Sequence, residues 1–227
     1  MRKPTWLTLA LAITMTFGNA PASMAAASDC TVTVSDSNAI YNGTNNSDVI
    51  CITGNNDTIN ALGGDDTIID DGDNNTINLG DGNDIFDGTI GDGSTVDGGA
   101  GDDDITGTPG DDNLSGRDGA DIISGESGSD SLDAGAGDDT VIGGPGNDTI
   151  HGGDGVDNLA GDAGADQVFG ESGADVLVGG DGDDVLSGGA ALDSLDGGTG
   201  LNMCDFQSGE MITSTCKYDD VAPVVSG

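Results

Sequence analysis

Basic side chains are nearly absent from this sequence. Lys and Arg together number 4 against 42 Asp and Glu, so the formal net charge is −38 over 227 residues. Phosphate groups and anionic membrane surfaces are bound by clustered Lys and Arg, which this chain does not have. The composition therefore argues against a nucleic-acid partner and against an anionic membrane surface.

Aromatic residues are also scarce, at 3 % of the chain, and the single Trp is Trp6. A conventional large hydrophobic core is therefore not available. A stack of small units that share one narrow aliphatic seam is available. The one His, His151, lacks a nucleophile partner and is predicted to be a solvated surface residue.

The acidic residues are not scattered, as they are in a disordered polyanion, but recur at a fixed phase. Between residues 43 and 196 an Asp is followed two positions later by an apolar residue, and the pair repeats every nine residues except in the ten-residue unit 88–97. A typical unit is Gly143-Gly-Pro-Gly-Asn-Asp-Thr-Ile-His151, of the form G-G-x-G-x-D-x-U-x with U apolar. The U positions include Ile59, Ile68, Ile77, Phe86, Ile105, Leu114, Ile123, Leu132, Val141, Ile150, Leu159, Val168, Leu177, Leu186 and Leu195. The fourth-position glycines are Gly101, Gly110, Gly119, Gly128, Gly137, Gly146, Gly155, Gly164, Gly173 and Gly182.

Each unit has a glycine-rich turn half and a three-residue strand half, whose middle side chain points inward. Since successive units must turn back, two units form one coil, and alternate Asp positions fall on opposite edges of the stack. The first edge is predicted to carry Asp48, Asp66, Asp84, Asp103, Asp121, Asp139, Asp157, Asp175 and Asp193. The second edge is predicted to carry Asp57, Asn75, Ser94 or Thr95, Asp112, Asp130, Asp148, Asp166 and Asp184.

Stacked turns of this kind leave gaps that are lined by oxygen atoms. Turn carbonyls and Asp carboxylates, without His or Cys, are the ligands that a hard cation such as Ca²⁺ prefers. Binding and folding are expected to be one event, with an affinity of about 10⁻⁴–10⁻³ M. The second edge lacks a carboxylate at two successive turns, so we expect poor calcium binding there. We also expect the section near 70–97 to open first.

The unit resembles the RTX, or hemolysin-type, calcium-binding nonapeptide repeat. The resemblance covers about 155 of the 227 residues. It implies an all-β fold, a parallel β-roll with two repeats per coil. It also implies several Ca²⁺ ions, held by the sixth-position Asp residues and by carbonyls of the glycine turns. Many members of the family use a dedicated exporter that reads a C-terminal signal, whereas an N-terminal leader here favours the general export route.

Residues 1–27 are predicted to be a secretory signal peptide. Arg2 and Lys3 precede a short apolar run, and Ala20-Pro-Ala22 and Ala25-Ala-Ala27 are candidate cleavage sites. The run is too short to span the roughly 30 Å of a bilayer core. We therefore expect a secreted, extracellular chain with no membrane span after cleavage.

The segments that flank the repeats are predicted to be caps. Residues 28–42 are predicted to form the N-terminal cap, and residues 197–227 a C-terminal cap and a tail. The sequence is compatible with a tail that is a loose end and with one that starts a linker to a further domain. Four cysteines in a secreted chain suggest two disulfides, for which three pairings are possible. The local pairing Cys30–Cys51 and Cys204–Cys216 is preferred because it staples each cap to its own end.

We expect a calcium-binding structural or interaction module and not an enzyme. A glycosidase-type dyad such as Asp102–Asp103 is disfavoured, because such pairs recur in many units without a distinct pocket. The alternatives are an ice- or surface-binding adhesin module, suggested by the outward Thr58, Thr76 and Thr95, and an accessory part of an extracellular enzyme. Adhesion through outward apolar side chains also stays open, although no protein or surface partner can be named. These side chains are Ile122, Phe169, Val176 and Val178.

Overall fold

The structure is a computed structural model, and it describes residues 30–88, 90–205, 211–212 and 216–217. The predicted signal peptide and the tail from residue 218 onward lie outside the described residues. Within these ranges, no helix has the length and the apolar character of a membrane span.

The chain alternates between two parallel 11-stranded sheets, so that one strand from each sheet makes up a coil. The first sheet contains β1 Val32–Val34, β3 Val49–Ile52, β5 Thr67–Asp70, β7 Ile85–Asp87, β9 Asp104–Thr106, β11 Ile122–Ser124, β13 Thr140–Pro145, β15 Asn158–Ala163, β17 Val176–Asp181, β19 Ser194–Asp196 and β21 Met211–Ile212. The second sheet contains β2 Ile40–Asn42, β4 Thr58–Gly63, β6 Thr76–Asp81, β8 Thr95–Ala100, β10 Asn113–Asp118, β12 Ser131–Ala136, β14 Thr149–Asp154, β16 Gln167–Ser172, β18 Val185–Ser187, β20 Asn202–Asp205 and β22 Cys216–Lys217. The predicted all-β parallel solenoid with two repeats per coil is confirmed.

The register of the sheets follows the repeat. Leu132 pairs with Ile150, and Ile150 pairs with Val168, so the U position of one unit lies beside the U position two units later. Across the ten-residue unit, Ile77 pairs with Val96, one residue further along the chain. The extra residue is therefore accommodated in a turn, and the strand register is kept.

Many strands are longer than the three residues that the repeat predicts. Strand β13 has six residues, and its Gly144 and Pro145 pair with Asp162 and Ala163 of β15. The first residues of the turn half thus continue the parallel ladder before the chain reverses. The sequence does not reveal this extension, because glycine-rich segments lack the usual composition of strands.

The U side chains form the seam between the two sheets. All those named above are 0–1 % exposed, from Ile59 to Leu195, and they belong to one continuous hydrophobic cluster. Each strand contributes one such side chain, since neighbouring residues point to the opposite face. Some strands add a second buried apolar residue, such as Ile52, Leu79 or Ala134, so the fold is held by a narrow seam and not by a wide core.

Truncating a seam side chain is expected to destabilise the roll. We predict that Leu159→Ala, at a fully buried position, lowers the free energy of unfolding in calcium by about 2–5 kcal/mol. Leu192→Ala is the matched control, because Leu192 is 64 % exposed. Denaturant unfolding of both variants checks this, and equal losses would contradict the seam.

Disulfides lie near both ends of the described structure. Cys30 bonds to Cys51 of β3, and Cys204 of β20 bonds to Cys216 of β22, so both preferred pairings are confirmed. Strands β1 and β2, within residues 32–42, pair with β3 and β4. This segment therefore forms the first coil of the same two sheets, and the first disulfide ties that coil to the next.

Candidate metal centre

The sixth-position Asp residues form a hydrogen-bonded ladder along each edge. The backbone N–H of Asp121 donates to Oδ1 of Asp139 (2.8 Å), and that of Asp139 donates to Oδ1 of Asp157 (2.9 Å). Such steps connect Asp48 to Asp193 on the first edge. On the second edge they run from Asp112 to Asp184. One carboxylate oxygen of each Asp is thus used to stack the turns.

The other carboxylate oxygen, Oδ2, is buried and receives no hydrogen bond at most of these positions. This holds for Asp57, Asp66, Asp84, Asp103, Asp121, Asp130, Asp139, Asp148, Asp157, Asp166, Asp175, Asp184 and Asp193. A buried charged oxygen without a partner is costly. A repeated row of such oxygens is what a series of cation sites requires of the protein.

The first-position glycine leaves room beside each free oxygen. A Cβ placed on Gly98 would lie 2.5 Å from Oδ2 of Asp103 and 2.6 Å from the carbonyl oxygen of Gly116 in the next coil. Gly170 stands in the same relation to Asp175 and to the carbonyl of Gly188. The space therefore lies between a carboxylate and a carbonyl of adjacent coils, and glycine is needed to keep it open.

The fourth-position glycines bring the backbones of adjacent coils together. Gly119 has a φ of 147°, Gly137 has a φ of 151°, and a Cβ on Gly137 would collide with the carbonyl oxygen of Gly119. The same contact recurs from Gly155 to Gly137 and from Gly173 to Gly155. A side chain at this position would separate the coils. The role of the fourth-position glycines as carbonyl ligands stays a prediction.

Burial and neighbouring charge oppose ionisation of the ladder. Burial, followed by the charges of Asp121 and Asp84, raises the pKa of Asp103 to about 7. Burial likewise raises the pKa of Asp130 to about 7 and the pKa values of Asp139 and Asp157 to about 6. The protein therefore holds a row of carboxyl groups whose ionisation is opposed by burial and by the neighbouring carboxylates.

Among the described residues, no three Asp, Glu, His or Cys side chains come together as a metal cluster. A cation in one of these gaps would meet one or two carboxylates together with backbone carbonyl oxygens. An all-oxygen set of this kind suits Ca²⁺. The donor chemistry of the turns therefore fits the predicted ion.

Among the positions predicted for the two edges, four depart from the ladder chemistry. Oδ2 of Asp48 accepts the N–H of Thr44 (2.7 Å), and Oδ2 of Asp112 accepts the N–H of Thr108 (2.6 Å). Ser94, and not Thr95, takes the ladder place, because its N–H donates to Oδ1 of Asp112. Asn75 fills its place with an amide, which donates to a buried carboxylate at Asp70.

Sequence reasoning did not single out Thr44, Thr108 or Asp70. The sequence contains a signal for them, because each replaces a glycine of the repeat pattern. Thr44 and Thr108 stand at the second turn position, and Asp70 stands at the first. A hydroxyl or carboxylate at these positions has its own hydrogen-bonding capacity next to the ladder.

His151 takes no part in the ladders. Its ring is half-buried on the outer face of the second sheet and stacks on Phe169, with ring centroids 4.9 Å apart. Its Nδ1 lies 2.7 Å from Oε1 of Glu171. The residue thus packs on the surface of the sheet between β14 and β16.

A family model for the RTX calcium-binding nonapeptide repeat matches the chain over residues 53–86, 60–94, 97–132, 133–168 and 169–203. These stretches cover more than half of the chain. The chain belongs to this family. No curated protein matches it. The RTX assignment implies calcium binding, and RTX repeats are typical of secreted proteins.

Proposed function

We propose that this RTX chain is a secreted calcium-binding protein whose repeats fold into the β-roll as they bind Ca²⁺. The observation that supports the proposal is the row of buried Oδ2 atoms without hydrogen-bond donors along both edges. The folded roll would then act as a structural or interaction module and not as an enzyme.

Each ladder Asp has two separate tasks in this proposal. Oδ1 of Asp157 receives the N–H of Asp139 and fixes the spacing of two coils, while Oδ2 faces the gap. Bound calcium would supply the positive charge that offsets the aligned carboxylates. Carbonyls of the adjacent turns complete the oxygen donors.

Secretion is supported by the covalent chemistry of the ends. Disulfides persist in oxidising, extracellular compartments, and both pairs of cysteines are bonded in the structure. Extracellular calcium also lies in the range that weak carboxylate and carbonyl sites bind.

The fifth-position aspartates accept hydrogen bonds from the next coil, which disfavours a catalytic role for the aspartate pairs. Oδ1 of Asp102 accepts the N–H of Ala120 (2.9 Å), and Oδ1 of Asp138 accepts the N–H of Val156 (2.9 Å). These carboxylates therefore hold the next coil. We propose on this basis that the pairs are structural.

Binding to ice or to another ordered surface is the alternative role, and one feature favours it. Thr58, Thr76 and Thr95 lie side by side on the second sheet. Beside them, the amide of Asn60 donates to Asn42 (2.8 Å) and that of Asn78 donates to Asn60 (2.7 Å). The row then changes to Asn113 and Ser131, which limits its length. Thermal hysteresis of the purified chain distinguishes this role from the first.

Equilibrium dialysis of the mature chain tests the proposed function. We expect saturable binding of several Ca²⁺ ions per chain and weak binding of Mg²⁺, because Mg²⁺ requires shorter octahedral contacts and retains its water. Binding should persist in moderate salt, which screens unspecific attraction to a polyanion. Equal uptake of both ions under these conditions would refute specific calcium sites.

The effect of calcium on folding is expected to decrease as the pH falls. Since the pKa of Asp103 is raised to about 7 and that of Asp157 to about 6, the folded state takes up protons in this range. The raised pKa values destabilise the metal-free fold above about pH 7, and this penalty is lost toward the unfolded value of 3.8. Calcium must also displace these protons.

We therefore predict a large difference in circular dichroism between calcium and metal-free buffer at pH 8, and a smaller one at pH 5. The buffer itself should be freed of metal, because chelators lose affinity in acid. The same calcium-dependent difference at both pH values would contradict the raised pKa values.

A further inference from the structure

Two turns on the second edge have nearly the same sequence and different hydrogen bonding. Residues 107–112 read Gly-Thr-Pro-Gly-Asp-Asp, and residues 143–148 read Gly-Gly-Pro-Gly-Asn-Asp. At the second position, one turn has Thr108 and the other has Gly144. Both turns end in a ladder Asp whose Oδ1 receives the N–H from the preceding coil.

In the turn 107–112, Thr108 satisfies the carboxylate of Asp112. The Thr108 N–H donates to Oδ2 of Asp112 (2.6 Å), and its hydroxyl lies 2.9 Å and 3.1 Å from Oδ1 and Oδ2. The same hydroxyl accepts the N–H groups of Gly93 (2.9 Å) and Gly110 (3.2 Å). Thr108 is fully buried. The turn therefore supplies its own donors.

In the turn 143–148, the corresponding oxygen is free. Oδ2 of Asp148 is buried without a donor, and Gly144 has a φ of 103°, which Thr rarely adopts. A Cβ on Gly143 would lie 2.9 Å from the carbonyl of Gly161 in the next coil. Gly107 stands in the same relation to Oδ2 of Asp112 and to the carbonyl of Gly125 (3.0 Å), so the two turns differ in the donors to Oδ2 and not at the first-position glycine.

The turn 70–75, which has Asn75 at the ladder position, is also closed, in the sense that its polar side chains are paired within the protein. The buried carboxylate of Asp70 accepts the N–H of Gly72 (2.9 Å) and the side-chain amide of Asn75 (2.8 Å). The same amide donates to the carbonyl of Gly54 (3.2 Å). The Ser94 hydroxyl lies 3.4 Å from the second carboxylate oxygen of Asp70. Asp70 thus links the turn 70–75 to Ser94.

The turn 43–48 repeats the chemistry of Thr108 on the first edge. The Thr44 N–H donates to Oδ2 of Asp48 (2.7 Å), and the Thr44 hydroxyl lies 3.0 Å from the same oxygen. The Asn46 N–H donates to that hydroxyl (3.2 Å). Thr at the second position therefore closes the turn in two separate places.

We propose that calcium binds only at turns whose Oδ2 lacks a protein donor, and that the segments 70–75, 90–94 and 107–112 form a metal-independent block on the second edge. The proposal rests on the proposed calcium binding and adds its distribution along the chain. In the block, hydrogen bonds replace the ion. Thr44 and Thr108 supply such donors, whereas Thr53 at the same position leaves Oδ2 of Asp57 without one, so the donor to Oδ2 and not the residue type decides between the two kinds of turn.

These hydrogen bonds reverse the order in which sections of the roll are expected to unfold when calcium is limiting. The sequence predicts that the section near 70–97 opens first, because Asn75 and Ser94 are weak calcium ligands. The structure supplies hydrogen-bond partners at these positions that need no ion. We therefore expect the second edge to stay closed here at limiting calcium and to open first at turns such as 143–148.

Exchanging the second-position residues tests the proposal on the full mature chain. Thr108→Gly recreates the sequence pattern of 143–148, and Gly144→Thr recreates that of 107–112. Thr106→Gly is the matched control, since it makes the same change on the outer face two residues away. The readouts are bound calcium at saturation, by equilibrium dialysis, and hydrogen exchange of peptides spanning both turns.

We expect Thr108→Gly to bind one more Ca²⁺ than the parent, Gly144→Thr to bind one fewer, and Thr106→Gly to bind the same number. At limiting calcium, the parent should exchange about 10- to 100-fold more slowly at 107–112 than at 143–148, as expected for losing a hydrogen bond to a charged group. Thr108→Gly should remove that difference.

Unchanged calcium binding in Thr108→Gly, or equal exchange of the two turns in the parent, would overturn the proposal. The exchange comparison uses the parent alone, so it decides even where a variant fails to fold. Absence of any calcium binding by the parent would instead refute the proposed function.

Discussion

Removing calcium from the mature chain is expected to abolish most of its β structure. The ladder aspartates of adjacent coils stand at the strand spacing of about 4.8 Å, where two charges repel by roughly 1 kcal/mol in water and 3–4 kcal/mol at an effective dielectric near 20. This repulsion recurs along both edges. The seam of buried apolar side chains is narrow, so it has little reserve against that repulsion.

Circular dichroism during a calcium titration measures this effect. The spectrum should change from disordered to β-rich, and near-complete loss should follow chelation. Magnesium at the same concentration is the control and should leave the chain largely unfolded, because it fits octahedral sites with shorter bonds. A β-rich spectrum that persists after exhaustive chelation at neutral pH would show that the seam suffices without the ion.

The nine-residue period carries enough information to predict the architecture. Because Ile105 and every later U residue keep one phase, the seam, the two sheets and the alternation of edges follow from side-chain geometry alone. The single insertion in 88–97 is also visible in the sequence. The resulting pairing of Ile77 with Val96 follows from the rule that apolar residues stay inside.

The sequence constrains the disulfides less than the seam, because four cysteines allow three pairings. The local pairing is confirmed, because each bonded pair lies on adjacent coils. Cys204 and Cys216 illustrate this: their strands β20 and β22 are hydrogen-bonded neighbours, with Cα atoms 5.5 Å apart.

The sequence pattern does not reveal how individual turns satisfy their oxygens. Asp112 and Asp148 occupy the same position in the repeat, yet Oδ2 of Asp112 has two donors from Thr108 and that of Asp148 has none. The two turns also differ in their backbone, because Gly144 has a φ of 103° and Thr108 has no positive φ. A description by motif treats both aspartates as equivalent.

Asp157→Ala is expected to weaken both the stack and calcium binding. The change removes the acceptor of the Asp139 N–H and leaves that buried donor unpaired. Losing a hydrogen bond to a charged group costs about 1.5–3 kcal/mol. The change also removes one carboxylate ligand from a gap, so more calcium should be needed to reach half-folding.

Asp154→Ala is the matched control, because Asp154 lies in the same turn, carries the same charge and is exposed. Surface substitutions of this kind usually change stability by within about 0.5 kcal/mol. Calcium titrations of the parent and both variants, followed by circular dichroism, distinguish the effect of losing one negative charge from the effect of losing a ligand between two coils. A polyanion that binds calcium only through its overall charge would respond equally to both substitutions. A roll with discrete sites should respond strongly to Asp157→Ala and little to Asp154→Ala, because only Asp157 places an oxygen between two coils.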